Sequence, residues 1–112
     1  MRQALNQAEK LLRDYGRTYE ANLVAIALET FDRDPQAACR EINSDEWWNG
    51  TGAVAAVDLA VAGGFTAQSR IDAQALRQAL LVIFTTMRAY GEHNTAGEIV
   101  VSQFRKWRES HV

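Results

Sequence analysis

Apolar residues recur every three or four positions near the start of the chain, which is the spacing of one face of an α-helix. Five residues follow this spacing: Leu5, Ala8, Leu11, Leu12 and Tyr15. Gly16 comes directly after them, and glycine is the residue that most often ends a helix. The pattern therefore predicts a first helix that stops before Gly16.

A second helix is predicted over residues 18–31, where the apolar positions form a broader band. Its inner stripe is expected to consist of Tyr19, Leu23, Ile26, Ala27 and Thr30. Val24 and Leu28 widen the band, which favours burial on more than one side. Because a wide apolar face can serve as core or as an interface, the pattern leaves a homo-oligomer open.

The stretch "RDPQAACREIN" carries a clear helix-start signal. Asp34 suits the N-cap position, where its carboxylate can accept from a backbone N–H, and Pro35 suits the first helical position. The short helix that they start is predicted to reach about Asn43. The segment "SDEWWNGTG" follows it directly.

Residues 52–62 are ambiguous. Val54, Val57 and Val61 fit a helix, whereas the valine content and the short length also fit a strand. We favour a short alanine-rich helix here, with a strand-like segment near residues 53–62 as the alternative.

The strongest helical pattern lies in the second half of the chain. Seven residues repeat at helical spacing: Leu76, Ala79, Leu80, Ile83, Phe84, Met87 and Tyr90. Asp72 is the predicted N-cap of this helix and Gly91 its end. A last helix, capped by Asn94 or Thr95, is predicted from a further stripe of Ile99, Val100, Gln103, Phe104 and Trp107. The expected fold is all-α, a compact bundle of five or six helices in one domain over residues 1–112.

Composition and charge narrow the class of protein. The chain has 112 residues, 47% of them hydrophobic, and a net charge of −2, which argues against a general nucleic-acid binder. The sequence shows neither an apolar run long enough to cross a membrane nor a signal peptide at the N-terminus. Its one cysteine, Cys39, has no disulfide partner within the chain. These features predict a cytoplasmic protein with a reduced thiol and no membrane contact.

The two adjacent tryptophans, Trp47 and Trp48, raise a question of burial. Neighbouring residues point about 100° apart on a helix and to opposite faces of a strand. We therefore expect one ring to fill the core and the other to lie at the surface. The outer ring would act as a lid, as a recognition anchor for a partner, or as the wall of a small-molecule pocket.

An acidic segment lies directly before the tryptophans in the sequence. Residues 29–46 contain six acids and two arginines, a local charge of −4. Such a run is often a plain solvated face, but it can also steer a partner with a basic cleft into contact. The predicted partner-binding residues are Asp32, Asp34, Glu41, Asp45, Glu46, Trp47, Trp48 and Asn49.

The chain shows no pattern of residues that predicts catalysis or a bound metal. His93 and His111 lack a ligand partner at helical spacing, and Cys39 fits a buried core position. Asp58 is the one acid in an apolar segment, and we expect it to cap a helix, to pair with Arg70 or Arg77, or to face water at the edge of a helix. The sequence therefore predicts a binding protein without a cofactor.

The tryptophan segment also carries a resemblance. "WWNGTGAVAAVDL" resembles the Trp-Gly-x-Gly-Ser-like signature of a small bacterial family of uncharacterised helical domains, and "FDRDPQAACREINSDEWW" resembles that family's lead-in. The resemblance covers residues 29–59. Asn49 stands where glycine is usual, and Ala53 stands where serine is usual. Such domains are similar in size and style to the immunity proteins that bacteria make against polymorphic or type VI toxins.

Together these features predict an immunity or antitoxin-type protein that binds a cognate toxin and occludes its active site. One alternative is a helical regulatory or nucleic-acid-associated protein that uses Arg105, Lys106 and Arg108. Another is a small-ligand-binding domain or enzyme built around Asp58 and the glycine turn.

Overall fold

The computed structural model describes residues 1–50, 52–57, 59 and 66–110. Six α-helices run through these residues: α1 (Arg2–Asp14), α2 (Thr18–Arg33), α3 (Pro35–Ile42), α4 (Asp45–Trp48), α5 (Ala67–Ala89) and α6 (Thr95–Glu109). A single 3-10 turn spans Val54–Ala56, and the described residues contain no strand. The prediction of an all-α bundle of five or six helices is therefore confirmed.

The helices share one hydrophobic core. α1 and α3 each pack against α2 and α5. α4 packs against the 3-10 turn and α6. The core draws on every helix, and its largest fully buried side chains include Trp48, Phe84, Leu5, Leu12, Ile42 and Met87. Each amphipathic helix thus buries its apolar face against a neighbour, as helices must in a bundle.

The predicted inner stripe of α2 is wrong in part. Tyr19 is 61% exposed and Ile26 is 55% exposed, whereas Ala21, Val24, Ala27 and Thr30 are buried. The physical reason is that α1 and α3 pack on the face with the smaller side chains, where helices can approach closely. Tyr19 and Ile26 are left at the surface, where Tyr19 contacts Glu46 of α4.

The start of α3 confirms the prediction from sequence. The Asp34 Oδ1 atom accepts a hydrogen bond from the Ala37 backbone N–H at 3.2 Å, and Pro35 occupies the first turn. The helix ends at Ile42, with Asn43 as its C-cap.

The predicted cap of α5 is wrong. The helix begins at Ala67, and Thr66 forms a capping box in which its side chain and that of Ser69 bond to each other's backbone N–H groups. Asp72 lies inside the helix, where its carboxylate accepts from the Tyr15 hydroxyl at 2.7 Å. This hydrogen bond, with a smaller contribution from burial, raises the pKa of Tyr15 to about 12.

In the described part of residues 52–62, the predicted short helix takes the form of a single 3-10 turn, Val54–Ala56, and no α-helix forms there. Ala53, Val54 and Ala55 are all buried, and only a 3-10 turn forms before Val57 becomes extended. Three consecutive buried side chains suit a tight turn wedged into the core better than a surface helix or a strand with one wet face. Val61 and Asp58, which the sequence analysis singled out, lie outside the described residues.

α6 begins where it was predicted. The Asn94 side chain caps it by accepting from the Gly97 N–H at 2.8 Å. Its buried residues are Gly97, Val101 and Phe104, whereas Ile99 is 68% exposed, so the helix is rotated from the predicted stripe. Among the described residues, no helix is long and apolar enough to cross a membrane.

The cap of α3 can be tested by mutation. Asp34→Ala should lower the free energy of unfolding by about 1 kcal/mol, because the Ala37 N–H loses its acceptor. Asp32→Ala is the matched control, since Asp32 makes only an exposed ion pair with Arg2 at 3.4 Å, worth at most about 1 kcal/mol and often nothing measurable. Urea denaturation of both variants measures the difference. Equal losses of unfolding free energy in the two variants would show that the Asp34 cap stabilises the protein no more than the exposed ion pair does.

Candidate functional site

Both tryptophans of α4 are buried, so the prediction that one ring lies at the surface is wrong. Trp47 and Trp48 are each 2% exposed, and their ring centroids lie 6.1 Å apart. The two side chains can both be buried because α4 is a single turn with neighbours on several sides, not a helix lying on a surface. Neither ring is therefore presented to a partner in this structure.

The Trp48 side chain makes a hydrogen bond to α3 and an aromatic contact with α5. Its Nε1–H donates to the Ile42 carbonyl at 2.9 Å, which satisfies the polar edge of the ring inside the core. Its ring meets Phe84 of α5 edge to face, with the centroids 5.3 Å apart. Trp48 thus joins α3, α4 and α5.

Gly97 of α6 lies directly against this aromatic pair. A Cβ atom at this position would lie 2.7 Å from Phe84 Cε1 and 3.1 Å from Trp48 Cδ2. Only a residue without a side chain allows α6 to come so close to these rings. The close approach explains why a glycine stands inside the first turns of a helix, where it otherwise costs stability.

A polar network closes the same end of the bundle. The Asn43 amide donates to Glu92 Oε1 at 3.0 Å, and the Asn94 amide donates to Asn43 Oδ1 at 2.9 Å. Asn94 also caps α6, so this network joins the end of α3 to the connection between α5 and α6. The tryptophan segment is therefore part of the structural frame of the protein.

The predicted acidic residues do not form one patch. Asp34 caps α3 and Asp32 pairs with Arg2, so both have structural partners. Glu41 accepts from the Thr30 hydroxyl at 3.1 Å, and Glu46 accepts from the Tyr19 hydroxyl at 2.9 Å. These two contacts place Glu41 and Glu46 along the same flank of α2.

We define the acidic surface as Tyr19, Ile26, Glu41, Asp45 and Glu46, all of which are exposed. Asn49, the last predicted contact residue, is exposed at the C-terminal end of α4. No basic side chain in the described part of the chain forms an ion pair with Glu41, Asp45 or Glu46. The hydrogen bond from Tyr19 to Glu46, assisted by the charge of that carboxylate, raises the pKa of the tyrosine.

Tyr19 and Ile26 are exposed, although both fit the helical spacing that predicts a buried stripe. The available signal was the competing stripe of Ala21, Val24 and Ala27, whose small side chains suit close helix packing. When one helix carries two apolar stripes, the sequence alone does not show which stripe is buried, because burial depends on which neighbouring helices pack against it.

A second exposed area lies near the end of α6. Arg105, Lys106 and Arg108 are exposed there, as predicted for a basic cluster. Trp107 is 37% exposed, packs against Phe104, and has the Arg77 guanidinium carbon 5.1 Å from its ring centroid. The expectation that Trp107 packs in the core is therefore met only in part.

Groups able to do chemistry are sparse in the described residues. Cys39 is fully buried, as expected, and burial followed by the charge of Glu92 raises the pKa of its thiol. His93 is exposed. Among residues 1–50, 52–57, 59 and 66–110, no three His, Cys, Asp or Glu side chains come together as a metal site would require. Asp58 and His111 lie outside the described residues.

Comparison with protein families, with curated proteins and with solved structures finds no match to this chain. Its function must therefore be argued from its own residues.

The burial of Cys39 predicts an unreactive thiol. In native buffer at pH 8, Cys39 should react with a disulfide reagent such as DTNB only as fast as the protein unfolds, because the thiol is buried and its pKa is raised. In denaturant it should react at once. Fast labelling of the native protein would contradict the buried position.

Replacing a helical glycine by alanine usually stabilises a protein, but the close contact at Gly97 predicts the opposite. Gly97→Ala should destabilise the protein by about 1–3 kcal/mol, because overpacking against Phe84 and Trp48 outweighs the gain in helix propensity. Gly52→Ala is the matched control, since a Cβ there meets nothing within 4 Å. Thermal unfolding of both variants measures the contrast. A stabilised Gly97→Ala protein would mean that α6 does not lie so close to the rings.

Proposed function

We propose that this chain is an immunity or antitoxin-type protein, which binds a cognate bacterial toxin in the cytoplasm and blocks its active site. The observation that supports the proposal is the acidic surface, where an exposed tyrosine and an exposed isoleucine lie beside carboxylates that form no ion pair with a basic side chain of the described residues. The resemblance of residues 29–59 to a bacterial family similar in style to immunity proteins points the same way.

Charge argues for a basic partner. Glu41, Asp45 and Glu46 are exposed, and Glu41 and Glu46 accept hydrogen bonds from the Thr30 and Tyr19 hydroxyl groups. Toxins that act on nucleotides or nucleic acids carry clefts of Arg and Lys that hold phosphates. Carboxylate oxygens make the same charge-assisted hydrogen bonds with those side chains. An acidic protein surface can therefore enter such a cleft and exclude the substrate.

Tyr19 takes the anchor role that the sequence analysis gave to a tryptophan. Its side chain is 61% exposed, yet its hydroxyl is held by Glu46 at 2.9 Å. A held side chain loses less conformational entropy when it binds, and tyrosine is enriched among residues that dominate binding energy. Ile26, two turns further along α2, adds apolar area to the same stripe.

The frame behind this surface favours tight binding. Glu41 and Glu46 lie on α3 and α4, which the buried Trp48 side chain ties together through the Ile42 carbonyl. Preorganised surfaces bind more tightly than mobile ones of equal area. The buried tryptophans thus support the binding surface from below and do not touch the partner.

The proposal predicts two distinct losses of binding. The partner is first captured by the tagged protein, identified, and shown to be toxic when expressed alone. Replacing Glu41, Asp45 and Glu46 by Gln, Asn and Gln should lower the association rate about tenfold at low salt and flatten its salt dependence. Tyr19→Ala should instead raise the dissociation rate, weakening binding at least tenfold. Surface plasmon resonance measures both rates.

Matched controls separate these effects from damage to the fold. Tyr90→Ala removes another exposed tyrosine, and Glu109→Gln removes an acid at the end of α6. Both should bind the toxin and protect cells as the original chain does. Recovery of no stoichiometric protein partner would contradict the proposal. So would unchanged binding of the triple variant and of Tyr19→Ala.

A further inference from the structure

Asn49 is the one asparagine of this chain that is followed by glycine. The side-chain amide of an asparagine can react with the backbone nitrogen of the next residue, because the chain already holds these two groups close together. A side chain on that next residue hinders the attack, and glycine has none. The Asn49–Gly50 pair therefore offers the least hindered nucleophile beside an asparagine in this sequence.

The fold leaves this pair open to water. Asn49 and Gly50 are both exposed, and Asn49 is the C-cap of α4. A Cβ atom added to Gly50 would meet nothing within 4 Å, so the space beside its backbone is empty of protein. The φ angle of Gly50 is +88°, which favours glycine at this position and so favours an unhindered nitrogen.

The peptide group between Asn49 and Gly50 is also weakly held. In the part of the chain that the structure describes, no hydrogen bond involves the Asn49 side chain, the Asn49 carbonyl or the Gly50 N–H. The ψ angle of Asn49 is 130°, so this peptide group must rotate to bring the Gly50 nitrogen against the Asn49 Cγ atom. The rotation breaks none of the hydrogen bonds between described residues, and its cost is therefore low.

The other four asparagines are restrained. Asn43 donates to Glu92 at 3.0 Å and accepts from Asn94, so both atoms of its amide are held. The Asn94 side chain is held in the same way, since it donates to Asn43 and caps α6. Asn6 and Asn22 lie inside α1 and α2, where the next backbone N–H belongs to the helical hydrogen-bond ladder.

We propose that Asn49 is a site of spontaneous deamidation in the folded protein. Hydroxide removes the Gly50 N–H proton, and the nitrogen forms a bond to Asn49 Cγ. The Cγ–Nδ2 bond breaks, and Nδ2 takes a proton from water and leaves as ammonia. Water then adds to one of the two carbonyl carbons of the resulting succinimide, the bond from that carbon to the ring nitrogen breaks, and the nitrogen regains a proton.

The two directions of ring opening give different products. Opening at Cγ leaves an aspartyl residue, whereas opening at the main-chain carbonyl leaves an isoaspartyl residue, in which the backbone runs through the former side chain. Either product adds a carboxylate directly after α4, the helix that carries Asp45 and Glu46. The isoaspartyl product also lengthens the connection from α4 to the 3-10 turn by one methylene. This chemistry needs no protein partner, so its test is separate from that of the proposed function.

The site is tested by incubating the full folded chain in mildly alkaline buffer. Cleavage after glutamate places Asn43 and Asn49 in different peptides, because Glu46 lies between them. Mass spectrometry should show Asn49 converting at least about tenfold faster than any other asparagine, a difference of about 1.4 kcal/mol in barrier. Isoaspartate methyltransferase with labelled S-adenosylmethionine should label the isoaspartyl product, and the rate should rise with pH because a base removes the Gly50 proton.

Unfolding the same chain in guanidinium chloride separates the effect of the fold from that of the sequence. The rate at Asn49 should change by less than about tenfold, because the native structure already leaves the pair open. The rates at Asn43 and Asn94 should rise at least about tenfold, because their amides lose the hydrogen bonds that restrain them. A native rate at Asn49 far below the unfolded rate would overturn the proposal.

Matched variants check the assignment. Asn49→Gln should abolish the reaction at this position, because glutamine must close a larger and less favourable ring. Asn22→Gln alters another exposed asparagine and should leave the rate at Asn49 within about twofold, which is a few tenths of a kcal/mol in barrier.

Two results on the original chain would overturn the proposal without any variant. One is conversion of another asparagine as fast as Asn49 in the native protein. The other is an aspartyl product without any isoaspartyl product, since direct hydrolysis of the amide gives no ring. If Asn49→Gln fails to fold by circular dichroism, these comparisons still decide.

Discussion

The contact between Trp48, Phe84 and Gly97 is the interaction on which the rest of this fold depends. It joins α4, α5 and α6 at one point, and the Trp48 indole N–H adds α3 by donating to the Ile42 carbonyl. A buried tryptophan can hold this position because its one donor is satisfied and its ring meets Phe84 edge to face. The glycine is needed because any side chain at position 97 would meet the rings.

This contact decides where binding groups can lie. Both tryptophans of α4 are buried in the core. The aromatic side chain at the acidic surface is therefore Tyr19 of α2. The same packing places Glu41 and Glu46 against the flank of α2, where the Thr30 and Tyr19 hydroxyl groups orient them. The aromatic pair therefore shapes the proposed binding surface without being part of it.

The acidic surface and the basic cluster near the end of α6 lie on different helices. The carboxylates of the acidic surface belong to α3 and α4, whereas Arg77, Arg105, Lys106 and Arg108 belong to α5 and α6. A net charge of −2 conceals this division, since the two groups nearly cancel in the sum. Local charge, more than net charge, determines which side of a protein a charged partner approaches.

Much of the fold could be predicted from local signals. The helical class, the first helix and the start of α3 at Asp34 and Pro35 follow from spacing and capping, which act within a few residues. The burial of Cys39 and the cap of α6 by Asn94 were also expected. The α5 cap was missed because Thr66 and Ser69 form a box with serine where glutamate or glutamine is usual.

The sequence by itself determined the all-helical class, the positions of α1, α2, α3 and α6, and the run of acidic residues that precedes the tryptophans. Tertiary structure decided which of two apolar stripes of α2 is buried, that both tryptophans enter the core, and that the predicted acids divide between caps, an ion pair and the surface. The reason is that helical periodicity and capping depend on neighbours in the chain, whereas burial depends on which helices pack together. For α2 and α4, residues far away in sequence make that choice.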